Sequence, residues 1–354
     1  MRLSRSEPVL SAEDLAACRR LLAGGSKSFH AASKLLPRRI AEPATALYAF
    51  CRVADDAIDL DPGPAALAGL RERVGRAYEG RPLPFAADRA LAAVIARYGI
   101  PRAVPEALLE GFAWDREGRR YATLSDLTAY AARVAGTVGT MMALLMGERR
   151  PAVLARACDL GVAMQFSNIA RDVGEDARAG RLYLPLDWMR EAGLDPESWL
   201  AAPAFDARLA AVVRRLLAEA ETLYARSEAG IARLPLACRP GIGAARRIYA
   251  EIGHEVARAG CDSVSRRAVV SGRRKLVLLA RSVAAIALPA RAVEAPCLPE
   301  TRFLVEAVAA EPWRGRPPLP ERSLGERVGW MLELFARLEQ ERAMDRRLQT
   351  PAAE

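Results

Sequence analysis

Two segments of the sequence carry acidic and other polar side chains at helical spacing within stretches that are largely apolar. In a helix, each set of side chains falls within an arc of roughly 60–80° on one face. A single charged stripe on an apolar helix indicates that the stripe lines a cavity rather than facing bulk water. The first stripe consists of Tyr48, Arg52, Asp55 and Asp59, with Asp56 on its flank, and the second of Gln165, Asn168, Asp172 and Asp176.

Carboxylates on adjacent turns of a buried helix repel each other, and burying them is costly unless a cation lies between them. Mg²⁺ prefers oxygen ligands and is often held by one or two carboxylates together with substrate phosphates. Two such stripes facing each other could hold Mg²⁺ ions around a diphosphate, with nearby arginines neutralising the remaining phosphate charge. A solvated helix face with ordinary charges explains either stripe alone, but the second copy of the pattern favours the metal site.

The composition favours an all-α chain, because Ala, Leu and Arg dominate while aromatic and β-branched residues are sparse. The formal net charge of +9 suits an anionic partner such as a diphosphate or an acidic lipid. The arginines are spread along the chain without aromatic interleaving, so no nucleic acid is expected. The six cysteines form no CysXxxXxxCys pair, which predicts reduced thiols in a cytoplasmic protein.

No segment has the pattern of a cleaved signal peptide or of a membrane span. The charged start of the chain is not followed by an apolar core, and the most apolar run, 276–290, is short and contains Arg281. A protein that handles long isoprenoids can still dock peripherally on the inner membrane surface through basic and apolar patches. With only two histidines, His30 and His254, a zinc site is not expected.

Four blocks of this sequence resemble the squalene and phytoene synthases, with wording most similar to the bacterial members that make phytoene. The resemblance implies a single-domain, isoprenoid-synthase-type helical bundle around a central cavity. Residues 1–290 would form the catalytic domain, and 291–354 a loop-rich connection and a C-terminal helix, about 325–347, packed on it. The blocks are SFHAASKLLPRR (28–39), ALYAFCRVADDAID (46–59), VAGTVG (134–139) and QFSNIARDVGEDARAGRLYLP (165–185).

The resemblance implies head-to-head condensation of two geranylgeranyl diphosphates, through prephytoene diphosphate, to 15-cis-phytoene. Mg²⁺ would be the cofactor, with Mn²⁺ as a substitute and without NADPH. Dehydrosqualene or squalene synthase activity on farnesyl diphosphate is the alternative, because one sequence does not measure cavity depth. A non-catalytic helical assembly or binding protein of the same fold is an alternative of another class, but such a relative would be expected to have lost its carboxylates.

Residue roles follow from the same resemblance. The metal ligands would be Asp55, Asp56, Asp59, Asn168, Asp172 and Asp176, and Tyr130 and Arg52 would act at the reacting centre together with the aspartates. Ser26, Ser28 and Phe29 would form a flap over the diphosphate, although a helix cap and a core ring explain them as well. The other substrate-binding residues would be Tyr48, Gly136, Val138, Gly139, Gln165, Arg171, Tyr183, Tyr249 and Arg266.

Several further expectations concern local structure. Gly136 and Gly139 leave space either for a hydrocarbon chain or for close helix packing, since glycine in a helix costs roughly 1 kcal/mol relative to alanine. Asp115 is a candidate ion-pair partner but is expected to be mainly a surface charge, and Pro43 is expected to lie just inside the start of its helix. The chain has His30 and Cys261 where the family commonly has tyrosine, which weakens the residue assignments around those two positions.

Overall fold

The computed structural model describes residues 10–23, 32–33, 35–60, 64–284, 295–311, 313 and 315. These ranges are helical and contain no β-strand, which confirms the predicted all-α class. A π-helical turn, Ala132–Gly136, joins the helices Leu124–Ala131 and Thr137–Leu145, and 3₁₀ turns at Leu236–Cys238 and Pro299–Thr301 precede the helices that begin at Arg239 and Arg302. The α-helices are α1 (Ala12–Ala23), α2 (Arg38–Leu60), α3 (Pro64–Tyr78), α4 (Ala86–Tyr98), α5 (Ala103–Arg116), α6 (Leu124–Ala131), α7 (Thr137–Leu145), α8 (Pro151–Arg178), α9 (Leu186–Glu191), α10 (Pro196–Ala201), α11 (Ala207–Ile231), α12 (Arg239–Arg258), α13 (Gly272–Ala284) and α14 (Arg302–Ala310).

Helix ends follow local signals in the sequence. Thr123 and Asp126 form a reciprocal capping box that starts α6, and the Asp206 carboxylate caps the first amides of α11. Pro151 opens α8, where a missing amide proton leaves no hydrogen bond unmade. Gly99 ends α4 with a left-handed φ of 57°, a conformation that a residue without Cβ adopts readily.

Pro43 lies in the interior of its helix, so the expectation that it marks the helix start is wrong. α2 begins five residues earlier, at Arg38. A proline cannot donate to the carbonyl four residues before it, which here belongs to Arg39. The Tyr98 hydroxyl at the end of α4 donates to this carbonyl at 3.3 Å. The side chain of another helix thus supplies the hydrogen bond that Pro43 cannot make.

Helix α8 is the central element of the fold. It packs along α11 and also contacts α7, the π turn, α12 and α14. Its first half, including Leu154 and Cys158, joins a core with α2, α4 and α5, whereas its second half, including Phe166 and Val173, joins a core with α6, α11 and α12. A helix buried along most of its length carries polar residues into the interior. Arg156, Asp159 and Ser167 are buried, and the residues of the second predicted stripe are half-buried.

The segment after position 294 returns to the main body of the fold. The backbone carbonyls of Ala295 and Pro296 accept hydrogen bonds from the buried Arg156 guanidinium, at 2.9 and 3.1 Å, and α14 packs on α8. The predicted C-terminal helix at 325–347 lies outside the described residues, and the proposed division at position 290 stays a prediction. None of the described helices combines the length and the hydropathy that a transmembrane span requires.

Candidate active site

The two predicted stripes lie on α2 and α8, and the carboxylate of Asp115 interacts electrostatically with an aspartate of each stripe. Burial raises the pKa of Asp115 to about 6, and the negative charge of Asp55 on α2 contributes to the rise. Burial likewise raises the pKa of Asp176 on α8 to about 7, with contributions from the charges of Asp172 and Asp115. Asp115 therefore interacts electrostatically with Asp55 of the first stripe and Asp176 of the second, as expected if α2 and α8 border one acidic site.

Asp115 accepts hydrogen bonds from two tyrosine hydroxyls. Its Oδ2 lies 2.8 Å from the Tyr130 hydroxyl and its Oδ1 lies 2.7 Å from the Tyr183 hydroxyl. The Tyr130 and Tyr183 rings stack with centroids 5.2 Å apart, and the fully buried Tyr121 ring lies 5.1 Å from that of Tyr130. Asp115 near the end of α5 is thus a partly buried acceptor, and the expectation of a surface charge is wrong.

Arginines pair with aspartates on both stripes. Arg171 and Arg267 both donate to the Asp172 carboxylate, with Nε–Oδ1 distances of 2.7 and 2.8 Å. Burial alone would raise the pKa of Asp172, but these hydrogen bonds hold it below its usual value. On α2, Arg52 pairs with Asp56 at 2.6 Å and lies 3.7 Å from Asp55. Guanidinium groups at both stripes are therefore in place to meet an anionic ligand.

The residues present fit a hard divalent cation. Carboxylate and amide oxygens are the ligands that Mg²⁺ prefers, and the stripes supply both kinds. Burial and the charges of Asp172 and Asp115 raise the pKa of Asp176, so a cation bound beside this carboxylate would stabilise its ionised form. Among the described residues no three Asp, Glu, His or Cys side chains already form a metal-binding group. The side chain of Asp59 is outside that described part of the chain.

A cavity of about 300 Å³ extends from this acidic site into the helical core. Tyr48, Gln165 and Asn168 line it, and Asn168 lies one helical turn before Asp172, so the polar end of the cavity adjoins the aspartates. The rest of the wall is largely apolar and includes Leu36, Leu47, Val138, Met141, Met142, Met146, Ile231 and Leu234. Tyr249 on α12 also lines the cavity.

Glycines hold the helices of the cavity wall close together. A Cβ on Gly139 would lie 2.3 Å from the carbonyl oxygen of Ala157, and one on Gly161 would lie 2.3 Å from that of Ala135. Gly139 nevertheless lines the cavity, so close packing and cavity lining coexist at this position. A Cβ on Gly136 would lie 3.4 Å from Cδ1 of Leu304 on α14, and Gly136 is not part of the cavity lining formed by the described residues.

The remaining predicted residues fall in three places. Arg266 is exposed and donates to the carbonyl of Ala259 at 3.2 Å, whereas its neighbour Arg267 contacts the second stripe. Cys261 has a positive φ of 60° in the turn after α12. Ser26, Ser28 and Phe29 lie outside the described residues.

Sequence reasoning missed three residues of the site: Asp115, Tyr121 and Arg267. Asp115 lies fifteen positions before Tyr130, in a segment without the repeated aspartates that mark the two predicted stripes. The only local signal for Arg267 was its position directly after Arg266, because the sequence does not show which of two adjacent arginines turns toward Asp172.

Comparisons with known proteins agree with this geometry. A sequence model of the family described as Squalene/phytoene synthase matches residues 22–274. The chain is 54% identical over 325 residues to a phytoene synthase of Cereibacter sphaeroides, covering 87% of this chain and 92% of that relative. It is 44% identical over 268 residues to a 15-cis-phytoene synthase of Paracoccus sp., covering 72% and 86%. The crystal structure of a dehydrosqualene synthase in complex with ligand matches with a TM-score of 0.71 at 34% identity, covering 77% of this chain and 96% of that one.

Proposed function

Since this chain belongs to the squalene/phytoene synthase family, we infer that it carries out the phytoene synthase reaction. Two geranylgeranyl diphosphates condense head to head, through prephytoene diphosphate, to 15-cis-phytoene, and diphosphate is released. The observation that carries this inference is the 54% identity to a phytoene synthase over 87% of the chain. Members of the family use prenyl diphosphates and depend on divalent metal ions.

We propose that the diphosphate groups bind at the acidic end of the cavity, between the stripes on α2 and α8. Mg²⁺, or Mn²⁺ in its place, would be held by Asp55, Asp56, Asp59, Asn168, Asp172 and Asp176. The reaction would proceed without NADPH. When bound, the metal would stabilise the negative charge that develops on the departing diphosphate. Arg52, Arg171 and Arg267 would move from their carboxylate partners to phosphate oxygens, because a guanidinium binds either anion through paired N–H donors.

The apolar cavity supports the hydrocarbon part of this proposal. Loss of diphosphate leaves an allylic carbocation, which must be kept from water until it couples. Val138, Gly139, Met141 and Met142 of α7 would lie against the isoprenoid, and Tyr48, Gln165 and Tyr249 would border its reacting end. Tyr130, held by Asp115, would stand near the reacting carbons. The flap residues Ser26, Ser28 and Phe29, together with Gly136, Tyr183 and Arg266, remain predicted contacts of the substrate.

Product analysis tests the proposal directly. Purified protein with Mg²⁺ and without NADPH is given farnesyl or geranylgeranyl diphosphate, and the organic phase is analysed by chromatography and mass spectrometry. We expect a C40 hydrocarbon with a central conjugated triene from geranylgeranyl diphosphate. A C30 product instead would indicate the dehydrosqualene branch, which the 34% identity to a dehydrosqualene synthase makes the second candidate. Absence of product from both substrates would contradict catalysis and favour an assembly or binding protein.

A further inference from the structure

The segment before and within α13 combines exposed arginines with exposed valines. Val269 is 74% exposed and Val277 is 43% exposed, although most large apolar side chains of the described residues are buried. From Ser263 to Val293 the sequence has seven basic residues and no acidic one. Such a combination is typical of a surface that meets an anionic, partly apolar partner.

Helix α13 presents two different faces. Leu278, Leu279 and Val283 are buried against α12 and residues 32 and 35. Arg274, near the start of the helix, donates to the buried Glu251 carboxylate of α12 at 2.9 Å and fixes this end. On the opposite side Arg273, Val277 and Arg281 follow one another at four-residue spacing, and all three are exposed. We call Val269 and these three residues the α13 outer surface.

This surface adjoins the mouth of the acidic site. Gly174 lies between Asp172 and Asp176 on α8, and its amide donates a hydrogen bond to the backbone carbonyl of Ser263 at 2.9 Å. Arg267, two residues before Val269, donates to Asp172. The inner face of α13 packs on Ala32, which itself lines the cavity. A partner that binds the α13 outer surface would therefore lie beside the route into the cavity.

We propose that the α13 outer surface docks on an anionic phospholipid membrane. Basic side chains near such a surface each contribute about 1 kcal/mol, and the valines can enter the headgroup boundary. This docking rests on the proposed function in one respect: a twenty-carbon substrate tail and an uncharged forty-carbon product both partition into lipid. Docking here would place the diphosphate site at the membrane surface and shorten the path of both molecules through water.

Vesicle co-sedimentation of the full chain, without substrate, tests the docking. Phosphatidylcholine vesicles with and without phosphatidylglycerol are compared. We expect binding to the anionic vesicles, and a decrease of roughly tenfold or more in partitioning for the double variant Arg273→Gln with Arg281→Gln. Val269→Asp with Val277→Asp should also lose binding. Matched controls are Arg71→Gln with Arg190→Gln, and Phe205→Asp, which alter exposed residues elsewhere and should bind as the unchanged protein does.

Two readouts keep the docking separate from the proposed reaction. Circular dichroism and thermal melting verify that each variant is folded. Turnover of detergent-dispersed geranylgeranyl diphosphate should stay within about twofold for the outer-surface variants, since none of the four residues belongs to the acidic site. Failure of the unchanged protein to sediment with anionic vesicles, or equal binding by the outer-surface variants, overturns the docking whatever the product assay shows.

Discussion

At the scale of single residues, Asp115 explains how the tyrosines of the site are oriented. Its two carboxylate oxygens each accept one hydroxyl, from Tyr130 and from Tyr183, and the rings stack against each other. A carboxylate can satisfy both donors at once, whereas a neutral amide offers only one acceptor oxygen. The partly buried charge of Asp115 thus fixes two aromatic rings at the polar end of the cavity.

We predict that Asp115→Asn lowers kcat for phytoene formation by about 10- to 100-fold, because one tyrosine hydroxyl loses a charged acceptor. Steady-state kinetics with geranylgeranyl diphosphate measures the effect. Asp187→Asn is the matched control, since that carboxylate accepts from the Trp188 amide. A kcat for Asp115→Asn within twofold of the unchanged protein would show that tyrosine orientation is unimportant for turnover.

At the scale of elements, the close approach of α8 to the π turn places the cavity wall. Gly161 lies against the Ala135 carbonyl group, and a Cβ there would be 2.3 Å from the oxygen and 2.7 Å from the carbon. A backbone carbonyl cannot turn away as a flexible side chain can. From the residues alone, the glycines could line a cavity or allow close helix packing. The sequence did not distinguish these two roles, because both require small residues.

We predict that Gly161→Ala destabilises the fold by about 1–3 kcal/mol, because the helices must separate to admit the methyl group. Gly69→Ala in α3 is the matched control. Its Cβ would meet nothing within 4 Å, so the higher helix propensity of alanine should stabilise that variant by about 0.5–1 kcal/mol. Chemical denaturation measures both changes. Equal effects of the two substitutions would contradict the packing argument.

Glu251 joins α12 to the start of α13 and carries a pH-dependent part of the stability. Burial alone would raise its pKa, but hydrogen bonds from Arg274 and Arg258 lower it from 4.5 to about 2. A lowered carboxyl pKa stabilises the folded state above the unfolded pKa, and this contribution disappears as pH falls through about 2.

We therefore predict that Glu251→Gln costs up to about 3 kcal/mol at neutral pH, and that the cost shrinks as pH falls from about 5 to about 2. Denaturation at a series of pH values measures it. Glu255→Gln is the control, because Glu255 pairs with Arg258 at 29% side-chain exposure and should cost less. A cost that is independent of pH would show that Glu251 acts through packing.

At the scale of the whole molecule, the sequence predicted the features that depend on periodicity. The all-α class follows from composition, and the stripes follow from spacings of three and four that any helix brings onto one face. The polar role of Asp115 and the choice of Arg267 over Arg266 were not predictable, because both depend on which distant elements cover a side chain. The interior position of Pro43 was missed for the same reason, since its compensating donor, Tyr98, lies fifty-five residues away.

The acidic site also bears on the stability of the whole fold. Burial raises the pKa values of Asp115 and Asp176, and neighbouring carboxylates raise them further, so a bound cation would stabilise the ionised forms of both side chains in the folded state. Ligand binding to the folded state alone adds about 2.7 kcal/mol at a hundredfold excess over Kd. For a chain of 354 residues, that corresponds to a Tm increase of roughly 3–4 °C.

We predict this increase for Mg²⁺ together with a non-reactive thio analogue of geranylgeranyl diphosphate, measured by differential scanning fluorimetry. Either component alone should raise Tm less, because phosphate without metal adds negative charge to an acidic site. Asp172→Asn should remove most of the joint effect along with product formation, while Glu106→Gln, at an exposed pair with Arg102, should keep both. Equal stabilisation of Asp172→Asn and of the unchanged protein by the analogue would contradict this prediction. The isoprenoid chain, rather than the diphosphate and metal, would then supply the binding energy, and the predicted role of Asp172 in holding the metal would be wrong.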